Sequence, residues 1–441
     1  METKTPYQKE RQYDIDWLRI LLILSVFLFH IGMIFNTWGW HIKNNVHVER
    51  LDGVMEFLHY WRLPTLFLVS GVGTWLALGK RTSGQYLKER FKRLFIPFVA
   101  GIFILVPVQV YTEKASQYDS LLAFYPHMFQ GIYPGGNFSW HHLWFILYLF
   151  TIALIISPFL KRMKSNGFTQ FRERCIVFFS GPMAMNLILV PLLLSQILLR
   201  PIFPQETHAL FNDWAFFSLD LVFFLAGLIL VSNTSLRDSI MQQRWLYLSQ
   251  TILTTTFMFL TPHLFGNKDV GETVWDIAAI FVAWSCSLTA IGFTRRHLNR
   301  NSMFRKVANE AIYPFYLLHQ PVIIVVGYYV IEWPIPILMK ALIITGLSLV
   351  LGTALLSGCA GTARGSKSSV FTHYDEVELT DYSLSRADAL VIIRYPAIIH
   401  ADAEEPYFHA FSLNAIGGEV PPANRTKKVT TKIAQSILAK S

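Results

Sequence analysis

The sequence predicts an all-α polytopic membrane protein, a bundle of about ten transmembrane helices followed by a poorly defined polar tail. Three observations carry that prediction. Of the 441 residues, 53% are hydrophobic and only 15% charged, where a soluble chain of this length has closer to a quarter charged. Mean hydropathy is +0.38, and several windows exceed the ~18 apolar residues that a membrane-crossing helix needs. The third is charge asymmetry. With the N-terminus inside, alternate connecting segments hold 21 Lys/Arg and the intervening ones 5, which is the positive-inside pattern. The net charge of +9 follows from that topology and implies no nucleic-acid partner.

The predicted spans run near 17–38, 53–79, 94–112, 142–160, 175–198, 214–231, 246–262, 273–294, 311–331 and 336–356. METKTPYQKERQYDID is a polar tail before the first full-length span, so no cleavable signal is expected. Basic clusters bound the spans on one side: Lys80–Arg93 before the third, Lys161–Arg174 before the fifth, Arg237 and Arg244 before the seventh, and Arg295–Lys306 before the ninth. The outer loop QYDSLLAFYPHMFQGIYPGGNFSW precedes the fourth span. Its rings suit either an acceptor cleft or interfacial anchoring. No internal repeat suggests the duplicated halves of a transporter. Cys175, Cys286 and Cys359 are far apart and match no zinc or disulfide framework, and no metal site is expected.

Charged and polar groups inside the spans need a reason to be there. Arg19 and His30 lie on one face of the first helix, ~16 Å apart along its axis. His30 is a candidate general base, since imidazole titrates near ~6.5 and can take a hydroxyl proton at neutral pH. The alternative is a polar residue hydrogen-bonded inside the bundle. Arg19 either snorkels to the interface or grips phosphate with its fork, and Asp16 sits one turn away to pair with it. Arg62 lies at a depth comparable to His30. It either stabilises a developing oxyanion or pairs with an acid such as Glu56, while His59 is expected to be structural. Asp220 is a buried acid without a legible partner.

YDIDWLRILLILSVFLFH resembles the first helix of the membrane-bound acyltransferase 3 family, which carries an Arg, ten residues and a His. YWRLPTLFLVSG, YLKERFKRLFIP, HHLWFILYLF and NEAIYPFYLLHQPV resemble the same family in the same order, over about residues 13–350. Glucan and polysaccharide O-acyltransferases look closest. The resemblance implies a bacterial inner-membrane, multi-pass enzyme with a cytoplasmic N-terminus. Its donor would be an acyl-CoA, acetyl- or succinyl-CoA, as co-substrate rather than bound cofactor, and its acceptor an extracytoplasmic glycan. His30 and Arg62 are then catalytic. Arg19, Arg90, Arg93 and His319 are donor-binding. His142 and Trp144 face the acceptor side. For His319 an ordinary hydrogen bond across helices is the alternative. A transporter or lipid-linked sugar flippase is the competing function.

Residues 1–356 form the expected acyltransferase-like domain and 357–441 a tail of unknown function, with nine Lys/Arg, nine Asp/Glu and no span-length apolar run. MKALIITGLSLVLGTALLSGCAG resembles a lipoprotein signal ending at Cys359, so the tail reads either as a fused lipoprotein-like fragment or as an extension of the tenth span.

Overall fold

The computed structural model describes residues 12–78, 81–204, 206–365, 389–392 and 410–413. In chain order its principal helices are α1 Tyr13–Gly32, α2 Arg50–Leu78, α3 Ser83–Glu113, α4 His141–Met163, α5 Asn166–Phe179, α6 Ala184–Leu199, α7 Trp214–Val231, α8 Thr234–Gln242, α9 Arg244–Leu264, α10 Lys268–His297, α11 Met303–Val330 and α12 Ile337–Gly365. Local sequence sets many of the starts. Thr82 and Gln85 form a capping box before α3, and the side chains of Ser165, Asn233, Asn267 and Ser302 each accept from the backbone N–H three residues on.

The protein is an all-helical, multi-pass membrane protein through α12. Seven helices among the described residues are long and apolar enough to cross a membrane, or up to eight if α5 and α6 make one bent span. About ten were expected, and the difference has physical reasons. α2 and α9 have 29 and 21 residues, ample length for a crossing. Arg50, Asp52, Glu56, His59 and Arg62 in α2, and the threonines and Gln250 in α9, lower their apolarity. The expected span 175–198 is two helices meeting at 118°. The break falls at Gly181–Pro182–Met183, where Met183 takes φ 56°.

The core is built around α1 and α2. α1 packs against α2, α10 and α11, and α2 also against α7 and α10. Two glycines set the α2–α7 approach. A Cβ at Gly71 would lie 2.0 Å from the Phe224 carbonyl oxygen, and one at Gly227 would lie 1.9 Å from that of Leu68. Small residues at a helix interface permit this backbone contact. Gly71→Val or Gly227→Val should therefore push the helices apart. A fall in thermal stability of several degrees in detergent is expected, and unchanged melting would show that the contact is not tight.

At the N-terminal end of α1 the charges are stapled to the rest of the bundle. Arg237 Nε donates to Asp14 Oδ2 at 2.9 Å, with both side chains buried, and Arg295 reaches Asp14 at 3.8 Å and Asp238 at 2.8 Å. Arg305 donates to Asp16. Breaking such a buried pair strands an ion at a cost of about 3–5 kcal/mol. Arg237→Ala should thus lower folded yield sharply, measured as the monodisperse fraction after extraction. Leu21, Leu28, Phe103, Ile104, Leu253 and Leu342 are exposed, which suits surfaces facing hydrocarbon.

Beyond α12 the described residues are two short antiparallel strands, β1 Ala389–Ile392 and β2 Ala410–Leu413, with Ala389 opposite Leu413. Cys359 lies within α12. Its side chain, and the remainder of the expected tail, lie outside the described residues.

Candidate active site

α1 and α11 run side by side in a constant register. Trp17 stacks on Phe304, Arg305 donates to Asp16, Arg19 Nη1 donates to Asn309 Oδ1 at 3.2 Å, and His30 meets His319. Partners are separated by 289 or 290 residues at the last three of these contacts. The register gives the site two ends about 16 Å apart by helical rise. One end is basic and the other is built of imidazoles.

At the imidazole end His30 Nδ1 lies 2.9 Å from His319 Nε2, and His319 Nδ1 lies 2.5 Å from the Tyr316 carbonyl oxygen. A carbonyl only accepts, so His319 Nδ1 carries hydrogen and donates it. In neutral His319, Nε2 is then the acceptor, and the hydrogen between the rings sits on His30 Nδ1. His30 Nε2 keeps its lone pair and makes no hydrogen bond to a described residue. Trp40 stacks on the His30 ring at 5.9 Å and 11°, which fixes the ring plane. His319 therefore sits beside His30, away from Arg19. The helix-to-helix hydrogen bond describes it better than direct contact with a donor's charged end.

His142 belongs to the same cluster. Its ring is 5.3 Å from that of His319, its Nε2 donates to the Leu317 carbonyl at 3.0 Å, and its own carbonyl accepts from Tyr316 Oη. The preceding residue, His141, takes φ 37°, an uncommon conformation for a non-glycine residue. Trp144 is buried and turns the other way, stacking on His208 at 4.3 Å. It holds the segment 206–213 at His208, with Trp140 Nε1 donating to the His208 carbonyl at 2.9 Å. Burial holds His208 down to about 4 despite the nearby Glu206 carboxylate, with His59 and Arg62 adding to the effect.

Arg62 is 3% exposed and its Nε and Nη1 have no hydrogen-bond partner among the described residues. Its guanidinium lies over the Phe29 ring, 3.4 Å from the centroid. Phe29 in turn lies 5.7 Å from His30, so one ring separates the cation from the candidate base. Pairing with Glu56 does not occur, because Glu56 accepts from Tyr60 Oη at 2.9 Å instead. His59 is paired, with Glu206 at 3.2 Å. Asp220 is fully buried with neither oxygen partnered among the described residues.

The basic end gathers Arg19 and Arg90 around Gly73 and Thr74. A Cβ at Gly73 would lie 3.3 Å from Arg19 Nη2, and Arg90 Nη2 approaches Thr74 Oγ1 at 3.5 Å. Arg19 also lies 3.7 Å from Asp16. Arg93 pairs with Glu89 at 3.3 Å and is more than half exposed. Arg90 immediately precedes, and Arg93 lies within, a π-helical turn at Phe91–Phe95, a distortion frequent at functional sites.

His41 joins the site without any motif in the sequence to mark it. Its Nδ1 donates to Glu113 Oε2 at 2.5 Å, and Gln320 Nε2 donates to its Nε2 at 3.4 Å. No spacing relates residue 41 to residue 113. The adjacent Gln320 in YLLHQP was the one visible signal.

Comparison with known proteins gives this geometry a family. A model of the acyltransferase domain matches residues 12–357. Proteins named "Glucans biosynthesis protein C" from Salmonella paratyphi B, Salmonella enteritidis PT4 and Salmonella choleraesuis are each 22% identical over 371 residues, covering 78% of this chain and 90% of the relative. No solved structure matches the chain significantly.

Proposed function

The chain belongs to the acyltransferase 3 family and is a membrane acyltransferase, and from that premise we propose that it moves an acyl group from a cytoplasmic acyl-CoA, acetyl- or succinyl-CoA, to a hydroxyl of an extracytoplasmic glycan. The single observation that carries this reading is the unbonded Nε2 of His30, held in one tautomer by His319 and Tyr316. The relatives named for glucan biosynthesis favour a glucan as acceptor. The loop charge asymmetry favours an N-terminus in the cytoplasm, and the bacterial relatives favour a bacterial inner membrane. That orientation sets the basic end toward the donor pool and the imidazole end toward the acceptor.

In this scheme the donor's phosphates bind Arg19 and Arg90, and its thioester reaches the imidazole end. His30 Nε2 takes the acceptor hydroxyl proton as the oxygen attacks the thioester carbonyl carbon. Negative charge gathers on the carbonyl oxygen, where the Arg62 guanidinium, whose Nε and Nη1 have no hydrogen-bond partner among the described residues, stabilises it. The tetrahedral intermediate collapses by breaking the carbon–sulfur bond, and the departing thiolate takes the proton from the His30 imidazolium. His319 acts through His30 as a positioning residue.

Mass spectrometry of envelope glycans from cells with and without this protein tests the reading. Acyl esters on a glycan only in its presence are expected, and identical glycans in both would overturn it. Arg19 makes a finer test. Arg19→Lys keeps the charge but loses the bidentate fork, so the donor KM should rise by roughly tenfold, as for loss of one charged hydrogen bond. An unchanged KM in both Arg19→Lys and Arg19→Ala would leave Arg19 only an interfacial role.

A further inference from the structure

Beside the histidine cluster lies a second polar feature that the scheme above does not use. A cavity of about 240 Å³ opens between α2, α10 and the residues around Arg200 and Glu206, walled by Trp38, Glu56, His59, Arg200, Glu206 and Asp276. It adjoins the candidate base through aromatic contacts. Trp38 lies 6.1 Å from His59, and both rings lie 6.4 Å from Phe29, the neighbour of His30.

The walls have the chemistry of a hydroxyl-binding site. Glu206 is held in place by His59 at 3.2 Å and Arg200 at 3.6 Å. Burial would raise its pKa, but the His59 hydrogen bond and charge, with His208 and Arg200, bring it down to about 2, so it is an acceptor at any physiological pH. Glu56 is fixed by Tyr60 Oη, which accepts from Trp275 Nε1 at 2.8 Å. Asp276 faces the same cavity and has no hydrogen bond or ion pair among the described residues. Ionised carboxylates take hydroxyl hydrogens in short, charge-assisted bonds, and Trp38 adds an aromatic wall against which a sugar's C–H face packs. No group of three or more His, Cys, Asp or Glu among the described residues is arranged to hold a metal ion. Drug-sized ligands occupy sites from roughly 300 Å³ upward, so this cavity suits one sugar ring.

We infer that this cavity is the acceptor subsite, taking one uncharged sugar ring of the glycan and presenting the next hydroxyl to His30. The inference rests on the acyl-transfer reading and adds a selectivity to it. Three carboxylates outnumber the Arg200 guanidinium and the His59 imidazole and repel an anionic sugar, because juxtaposed like charges are costly.

Calorimetric titration of the full-length protein in nanodiscs with a neutral gluco-oligosaccharide, and with a uronate oligosaccharide of equal length, tests this. Saturable binding of the neutral oligomer is expected, at least tenfold tighter than the uronate. Asp276→Asn and Trp38→Ala should each weaken it by about tenfold, the loss of a charged hydrogen bond or of the ring platform. Asp276 is exposed, so the Asn variant keeps the fold even if the Trp variant does not. Absent binding, equal binding of the uronate, or affinity untouched by Asp276→Asn would overturn the subsite. If the neutral oligomer binds as expected but receives no acyl group from the wild-type protein, the subsite stands and the acyl-transfer reading falls.

Discussion

Replacing His30 with alanine is expected to lower acyl transfer by about 10²–10⁴, the contribution of a positioned general base, while leaving the protein inserted and abundant. His30 is only partly buried and makes one side-chain hydrogen bond, to His319, so its removal opens little core. Steady-state rates with a thioester donor and a glycan acceptor, normalised to folded protein, measure the loss. Near-normal turnover would remove His30 from the chemistry. His319→Gln carries a second expectation from the same geometry. It can still accept from His30 Nδ1, so it should retain more activity than His319→Ala, and the rate-versus-pH profile should move only in the variants that free the His30 ring.

Arg62→Leu should lower kcat by about 10²–10³, the effect of losing one group that stabilises the oxyanion, with little change in donor KM. Stability should move in the opposite direction. A buried guanidinium without an acid partner is costly to fold, and its Nε and Nη1 have no partner among the described residues. An apolar side chain in its place, shorter than arginine but free of the unmet polar groups, removes that cost, so the variant should melt no lower than the wild type. Lost turnover with retained or raised melting temperature is the signature of a residue held for function against stability. A clear fall in melting temperature with kcat intact would make Arg62 a structural cation–π partner of Phe29 instead.

The sequence made α1 and its two chemical ends legible, because an arginine and a histidine in one apolar run are conspicuous and their spacing fixes a common face. It also made the second cluster around His142 and His319 visible as residues, but their meeting was not. That contact depends on the register of α1 against α11, and one chain carries no signal that residue 30 pairs with residue 319. His41 and Glu113 escaped for the same reason. The difference between about ten expected spans and the seven or eight that pass on length and apolarity among the described residues has a different origin. Apolar windows record length and composition, and neither reveals that Gly181–Met183 turns the chain through 118°. For Arg62 the sequence leaves two roles open, stabilising an oxyanion or pairing with an acid such as Glu56. The structure gives Glu56 to Tyr60 and gives Arg62 an aromatic face.

The most direct test reconstitutes the purified protein in vesicles with isotope-labelled acyl-CoA on the side of the basic end and a neutral glucan on the other. Wild-type protein is expected to place ester-linked label on the glucan, and His30→Ala, inserted in equal amount, is expected to place none above background. No label on the glucan with wild-type protein, or equal label with His30→Ala, would contradict the account.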